Sequence, residues 1–498
     1  MMDILVNLGG GFSIMFTPMA ILLCLLGVFA GITFGAIPGI SPSMAVALLL
    51  PMTFNLPPVL GMVLLLGAYK GANYGGSVSA VLINTPGTPS AAVTAFDGYP
   101  MTKTGRVGEA MGISLYASVF GGIIGTVVLI LFAQPLARVA LRFWPSEYFA
   151  LTILGLTTVA TMGGKNWQKA LVAVVFGLLL NTIGMDPIAG TQRFTFGDIR
   201  LLDGLSLIPA IIGLFALGEL FYNIEHYAKG EKFDKLAYKL PKLRYYLTVW
   251  KNIVRAGVLG TIIGIFPGAG GTIAAFISYD VEKRFSKNPD EFGKGSPEGV
   301  AAAESSNSAS AGGALVPLLA LGIPGSATAA VLLGSLLVHG LNPGPEMFIK
   351  EPELVYGMFA SMFMANAFIL VVGVLGAGLF VRVTDLKKTI LYPLIFAFAI
   401  VGSFAVTSSM YSVVVCMVFG VIGWIFRRYG YPSAPVVLGI VLGSLAELSF
   451  RQALIIGGIE SFYKRPLTLI MLAIAIAAVA TPIVKKRIQD KKLRNNAD

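Results

Sequence analysis

The chain carries run after run of nearly uninterrupted apolar sequence: Phe16–Ala36, Gly112–Phe132, Leu202–Leu220, Gly357–Val381 and Pro466–Val484. Each approaches the roughly 20 residues that an α-helix needs to cross ~30 Å of hydrocarbon. In that medium every backbone N–H and C=O must be satisfied within the protein, so only helices and closed barrels are open to such a chain. A barrel would show short segments of alternating polarity, and no such pattern dominates. Charged residues are 12% of the 498 and hydrophobic ones 56%, where a soluble domain carries about 25% charge. The expectation is an all-α integral membrane protein, multi-pass in a lipid bilayer. At ~20 residues per span there is room for roughly 11–13 transmembrane helices. Their edges are blurred by 59 Gly and 27 Pro, many of them inside the apolar runs.

The net charge of +11 reads first as a topology signal. His226–Lys251 holds seven Lys/Arg against two acids, and Lys485–Asp498 holds six against two. By the positive-inside rule both are cytoplasmic, a basic linker over 226–251 and a basic tail over 485–498. They are read as solvated charge, with attraction to lipid headgroups secondary, and not as a nucleic-acid footprint. The opening residues MMDILVN lack the basic n-region of a cleavable signal, and the first apolar run is long enough to stay in the membrane. Cys24 and Cys416 both lie in apolar sequence and suggest neither a disulfide framework nor a metal site.

An internal repeat organises the chain. Gly35-Ala-Ile-Pro-Gly39 recurs as Gly264-Ile-Phe-Pro-Gly268, and YKGANYGGSVS at Tyr69–Ser79 as AESSNSASAGG at Ala303–Gly313, which sets Asn73 against Asn307. Thr85–Ala92 (TPGTPSAA) recurs as Ile323–Ala330 (IPGSATAA), and Pro209–Gly213 with Glu219 as Pro435–Gly439 with Glu447. Gly/Pro-rich helices match one another easily, which would account for one such pair but not for four in the same order. The chain divides into a first transmembrane repeat over 10–225, a second over 252–450, and an extra C-terminal helix over 466–484. An odd number of crossings per half, a basic linker inside and a basic tail returned inside by the extra helix favour inverted repeats. Paired Gly/Pro-interrupted segments in two such halves are a pointer to a secondary transporter's binding site.

The interruptions have chemistry of their own. Non-helical backbone at membrane depth survives only when buried in protein or lining a cavity. Pro86 and Pro89 lack an N–H and restrict the residues before them, so Asn84-Thr85-Pro86-Gly87-Thr88-Pro89 suits a break or re-entrant segment better than continuous helix. A helix resuming at Ser90–Ala95, capped by Thr88 or a neighbour, would offer free N–H groups and a positive dipole end to a carboxylate. A half-helix Val78–Asn84 would offer carbonyls and an amide to a cation. Pro324, Gly325 and Ser326 supply the second break; Pro38, Gly39, Pro267 and Gly268 mark a further matched pair. Asn73, Ser77 and Ser79 in one half, with Ser305, Ser306, Asn307, Ser308 and Ser310 in the other, add the oxygen atoms that suit a hard cation. The plainer reading of small serines is close helix packing.

Charges at membrane depth invite functional suspicion. Lys70 aligns with Glu304 in the repeat. Lys70 has two readings, attraction of an anionic substrate or pairing with an acid; Glu304 has cation or proton coupling, or a helix cap. Glu219 and Glu447 read as interfacial residues at helix ends, and His339 as interfacial or packed. No HExxH, no Cys/His metal spacing and no GxxxxGK[ST] occurs. Nothing points to an enzyme or a nucleotide, so transport would be ion-coupled or passive, with no cofactor beyond a coupling cation, Na⁺ or H⁺.

The stretches GAIPGISPS, YKGANYGGSVSAVLINTPGTPSAAVTAFDGYPM, GIFPGAGG, ESSNSASAGGALVPLLALGIPGSATAAVLLG and HGLNPGPEMF together resemble the TctA-type large membrane subunit of tripartite tricarboxylate transporters. The similarity runs over about residues 10–485. It implies a bacterial inner-membrane protein of about 12 helices, working with a small four-helix membrane subunit and a periplasmic substrate-binding protein that captures carboxylates. It implies uptake of tri-, di- or aromatic carboxylates driven by a cation gradient. The family's motifs fall on Pro38, Gly39, Asn73, Asn84–Thr88, Pro267, Gly268, Ser305–Ser308 and Pro324–Ser326. The expected function is cation-driven carboxylate uptake by alternating access; the alternative is a passive anion channel.

Overall fold

The computed structural model describes residues 2–161, 167–186, 188–225, 246–268, 270–376 and 388–495. These are helical nearly throughout. Among them the strands are β1 (Gly184–Met185) and β2 (Gln192–Arg193), antiparallel with Gly184 opposite Arg193. The basic linker expected over 226–251 lies outside the described residues for 226–245, as does the end of the tail at 496–498.

The helices of the first half are α1 (Met2–Met15), α2 (Pro18–Ala36), α3 (Pro42–Leu49), α4 (Pro58–Ile83), α5 (Ala91–Lys103), α6 (Val107–Ala140), α7 (Pro145–Thr161), α8 (Trp167–Asn181) and α9 (Leu207–Glu225). Those of the second are α10 (Trp250–Ile265), α11 (Gly270–Phe285), α12 (Pro297–Leu321), α13 (Ala327–Val338), α14 (Pro352–Leu375), α15 (Lys388–Thr407), α16 (Met410–Arg428), α17 (Ala434–Gly457) and α18 (Pro466–Asn495). Seven of the described helices are long and apolar enough to cross a membrane: α2, α6, α9, α14, α15, α16 and α17. The all-α membrane architecture is thus observed. The C-terminal run expected over 466–484 begins the longer helix α18.

The described residues form two compact units, one of 1–138 with 208–425 and one of 139–207 with 426–498. Each draws on both halves of the sequence. The second unit is built on α7, α8, α17 and α18 and carries the hairpin β1–β2. There Arg193 bonds Glu447 (2.9 Å) and Arg451 bonds Asp186 (2.8 Å). The backbone N–H groups of Ala189 and Ile188 hold the Asp186 carboxyl down at about 2, helped by Arg451.

The first unit holds the polar helix middles, and its local rules are legible. Thr17 caps α2, accepting from the Ala20 N–H, and Pro18 follows at the first turn, where its missing N–H costs nothing. The helix ends before Pro38: Ile37 is extended (φ −86°, ψ 116°), as the residue preceding a proline is pushed to be. α10 ends in the same way, with Phe266 extended (φ −77°, ψ 121°) before Pro267. Gly39 (φ +92°) and Gly268 (φ +84°) then turn the chain in the left-handed region, which glycine enters without a Cβ penalty.

Two helix pairs pack at backbone distance. A Cβ on Gly31 of α2 would overlap the Ala68 carbonyl of α4, and one on Gly35 that of Ala72. The contacts advance together along both chains, so α2 and α4 run parallel. In the second half a Cβ on Gly260 of α10 would overlap Ser306 of α12, and one on Gly264 would overlap Ser310; that pair is parallel too. Small residues at four-residue spacing permit this approach, and close packing drives association where lipid removes the hydrophobic term.

Candidate functional site

The two breaks fold alike. α4 closes on Asn84 in the left-handed conformation (φ 52°) and α12 closes on Gly322 in the same conformation (φ 72°). The chain then doubles back along its own helix. The Gly87 N–H donates to the Gly76 carbonyl (3.1 Å), and the Gly325 N–H to the Ala314 carbonyl (3.2 Å), each eleven residues upstream. Both glycines rest on the end of the neighbouring parallel helix. A Cβ on Gly87 would overlap the Gly35 carbonyl, and one on Gly325 would lie 2.9 Å from the Gly264 carbonyl. The Gly325 carbonyl in turn accepts from the Gly268 N–H (3.0 Å). Pro86 and Pro324 have no N–H to orphan in these segments.

This corrects one expectation. Val78–Asn84 is not a separate half-helix: α4 is a single 26-residue helix over Pro58–Ile83. Packing of its glycine face on α2 outweighs the poor helix propensity of its Gly/Ser middle. The restart is also better satisfied than expected. The Ser326 hydroxyl accepts from the Ala329 N–H (3.1 Å) and the Ser326 carbonyl from the Ala330 N–H (3.0 Å). On the other side Ser90, a neighbour of Thr88, is the N-cap of α5 and makes no side-chain cap bond; its Oγ lies 3.1 Å from Thr88 Oγ1.

Between the breaks the polar middles of α4 and α12 meet. Lys70 Nζ donates to the Ser308 carbonyl and hydroxyl (both 3.1 Å), and Asn307 Nδ2 approaches the Asn73 carbonyl at 3.5 Å. Glu304 accepts from Thr94 Oγ1 and from Ser118 Oγ (2.8 Å), with the Ser77 hydroxyl beside it. Ser77 Oγ donates to the Tyr74 carbonyl (2.7 Å) and lies 2.7 Å from Ser114 Oγ. Partner numbers fall along α12 as they rise along α4, so the two helices are antiparallel. The levels of Gly76 and Ala314 are therefore separated by about ten residues of α4, or ~15 Å. The breaks flank the Lys70–Asn73 stretch rather than share one point. Tyr69 spans from this stretch to the second break, its hydroxyl 3.3 Å from Ser326 Oγ.

Lys70, Ser77, Glu304 and Ser305 are 0% exposed, Asn307 and Ser308 2% and Asn73 5%. Gly87, Thr88, Pro324 and Gly325 are buried, Pro38, Pro86, Pro267 and Ser326 intermediate, and Asn84, Thr85 and Gly268 exposed. Ser305 donates to the Ile253 carbonyl (2.6 Å), tying α12 to α10. The Gly39 carbonyl accepts from Asn223 Nδ2 (2.6 Å), away from the α4–α12 contact. Among the described residues no carboxylate lies within 4 Å of Lys70, so the ion-pair reading of that lysine falls.

Glu219 is buried within the protein, 4% exposed, and accepts from Ser41 Oγ (2.6 Å). One further expectation changes. Glu447 is not at a helix end but within α17, paired to Arg193 and Arg451. His339 is packed as expected, its ring nitrogens 2.8 Å from the Ser335 carbonyl and 3.1 Å from that of Thr53.

Sequence reasoning missed Asn366 and Asp97. Asn366 on α14 is fully buried, with both amide atoms unpartnered. A Cβ on Gly122 would overlap Asn366 Oδ1 and Lys70 Nζ and lie 2.9 Å from Ser308 Oγ, so three polar groups converge over that glycine. A lone Asn in an apolar run at membrane depth was the available signal. Asp97 accepts from the N–H groups of Gly293, Gly295 and Ser296 (2.8–2.9 Å) and from the Tyr279 hydroxyl (2.8 Å). It clasps the entry to α12.

A family model described as "Tripartite tricarboxylate transporter TctA family" matches residues 21–438. An Agrobacterium vitis protein named "Uncharacterized 52.8 kDa protein in TAR-I ttuC' 3'region" is 39% identical over 487 residues, 97% of each chain. A second from the same organism, "Uncharacterized protein in TAR-II ttuC' 3'region", is 37% identical over 222 residues, 44% of this chain and 92% of its own. No solved structure matches.

Proposed function

We infer the function from the family: the chain belongs to the tripartite tricarboxylate transporter TctA family, and is the large multi-pass membrane subunit of a transporter that works with other subunits. We propose that it carries di- or tricarboxylates into the cell across the bacterial inner membrane. The cycle is alternating access driven by a cation gradient, fed by a periplasmic substrate-binding protein and completed by a small four-helix membrane subunit. The observation that carries this reading is the antiparallel meeting of α4 and α12, each followed by a fold-back on a left-handed cap. Sequence-equivalent helices running in opposite directions are what an inverted repeat requires. Secondary transporters of that kind bind at the repeat interface near the bilayer midplane.

The site comprises the Lys70–Ser77 face of α4 and the Glu304–Ser308 face of α12, with the breaks at Asn84–Thr88 and Pro324–Ser326 on either side. Carbonyl, hydroxyl and amide oxygens are suited to Na⁺; the buried Glu304 carboxylate suits H⁺ as well. In proteoliposomes holding all three components, labelled citrate or succinate accumulates against its gradient, and collapsing the coupling gradient stops it. Uptake unchanged after both the Na⁺ and H⁺ gradients are collapsed sinks the coupled mechanism, and equilibration without accumulation returns the anion channel. Asn307→Ala abolishes accumulation while the protein still inserts and folds.

A further inference from the structure

We propose that Lys70 and Asn366, set over Gly122, form an anion seat that grips one carboxylate of the substrate inside the membrane. This rests on the transport reading above and names the atoms that hold the cargo.

Four helices converge there: α4 brings Lys70, α12 brings Ser308, α14 brings Asn366 and α6 brings Gly122. Lys70 is 0% exposed, and two of its three N–H donors are taken by the Ser308 carbonyl and hydroxyl at 3.1 Å. No carboxylate lies within 4 Å among the described residues. Glu304 stands one helical turn from Ser308 and is engaged by Thr94 and Ser118 from α5 and α6. A buried ammonium with only neutral partners keeps a large desolvation cost that a second charge of opposite sign would offset. Asn366 brings the complementary need. Its Oδ1 and Nδ2 are both buried and without a hydrogen-bond partner, where buried amides are nearly always satisfied.

One ligand class answers both. Asn366 Oδ1 faces Lys70 over Gly122, and no hydrogen bond holds the amide that way round. With the amide turned over, a carboxylate accepts from the third Lys70 N–H on one oxygen and from Asn366 Nδ2 on the other, a charge-assisted pair in a dry site. A cation would meet the lysine, and a neutral ligand would leave the charge uncompensated. Gly122 lets Asn366, Lys70 and Ser308 close on one another against the α6 backbone: a Cβ there would fall within 2.9 Å of all three, so an added methyl group pushes them apart. A scaffold with only structural duties would gain by replacing Lys70 with a hydrophobe.

The test is thermal unfolding of the purified membrane subunits with citrate, succinate, uncharged succinamide, or sodium chloride at matched ionic strength. Wild type is stabilised by citrate and succinate and not by succinamide or chloride. Lys70→Met and Asn366→Leu unfold, without ligand, at or above the wild-type temperature, and their half-saturating citrate concentration rises about ten- to a hundredfold, as loss of a hydrogen bond to a charged group predicts. Gly122→Ala loses the citrate response with both polar groups still present. Lys70→Met and Asn366→Leu that keep the wild-type citrate response overturn the proposal; so does a chloride response equal to that of citrate. Should Lys70→Met not fold, Asn366→Leu decides in the same way. A citrate response that depends on these residues, in a protein that moves no carboxylate under any gradient, would refute the transport reading and leave the seat standing.

Discussion

Replacing Asp97 with alanine should be among the most damaging single changes outside the α4–α12 contact. The carboxylate is 0% exposed and gathers four donors. Gly293 is exposed, so water can replace the carboxylate at its N–H; Gly295 and Ser296 are buried, and their N–H groups would be stranded. A buried donor left unsatisfied costs about 1–3 kcal/mol, so two of them place Asp97→Ala about 2–6 kcal/mol below wild type. Asp97→Asn keeps an acceptor for the three N–H groups but as a neutral one, about half as strong, for an expected loss of about 1–2 kcal/mol. Tyr279→Phe removes one bond and costs about 1 kcal/mol. The order to be measured is wild type, Tyr279→Phe, Asp97→Asn, Asp97→Ala, by SDS titration in mixed micelles followed through tryptophan fluorescence. Asp97→Ala within about 0.5 kcal/mol of wild type, the range of a neutral surface change, would refute the reasoning.

Gly87→Ala and Gly325→Ala both press a methyl group into backbone, against Gly35 in one case and against Ala314 in the other. Each is expected to cost about 1–3 kcal/mol by overpacking and to lower uptake, measured on variants of equal abundance in the membrane. Asp186 supplies a pH dependence in the second unit. Its folded pKa of about 2 lies below the ~3.9 of an unfolded aspartate, so its stabilisation is present above pH ~4 and is lost as pH falls towards 2. Unfolding midpoints compared between pH 6 and pH 3 should fall more for wild type than for Asp186→Asn.

The apolar runs carried the architecture because hydrophobicity at the length of a span admits one solution in lipid. The proline-ended helices were equally legible, since Ile37 and Phe266 obey a steric rule that needs only the next residue. The fold-back was half legible. Pro86 and Pro89 announce a break, but its depth depends on a hydrogen bond from Gly87 to Gly76, and no local pattern encodes that. Asn366 and Asp97 were hidden for the same reason. A single polar residue says nothing of what it faces, and its neighbours come from distant segments: Lys70 and Gly122 beside Asn366, Gly293–Ser296 against Asp97. The continuity of α4 into Val78–Ile83 rests on the glycine ladder of α2, which is visible only once the two helices are side by side.

The pairing of Lys70 with Glu304 in the repeat acquires a consequence from the antiparallel packing. Equivalent positions carry opposite charges, and each is tied to the other half of the chain: Lys70 to Ser308, Glu304 to Thr94 and Ser118. On the proposed cycle the two halves exchange conformations. Chemically identical halves would then give inward- and outward-facing states of equal free energy. A lysine at one end of the contact and a glutamate at the other remove that equality, because each opening exposes a different charge to water. A difference of about 1.4 kcal/mol between the two environments is enough to favour one facing state tenfold. Lys70→Met should therefore shift the resting orientation, read as the accessibility of a single cysteine introduced on one face, in addition to weakening carboxylate binding. Asn366→Leu, which changes no charge, should weaken binding and leave the orientation where it was.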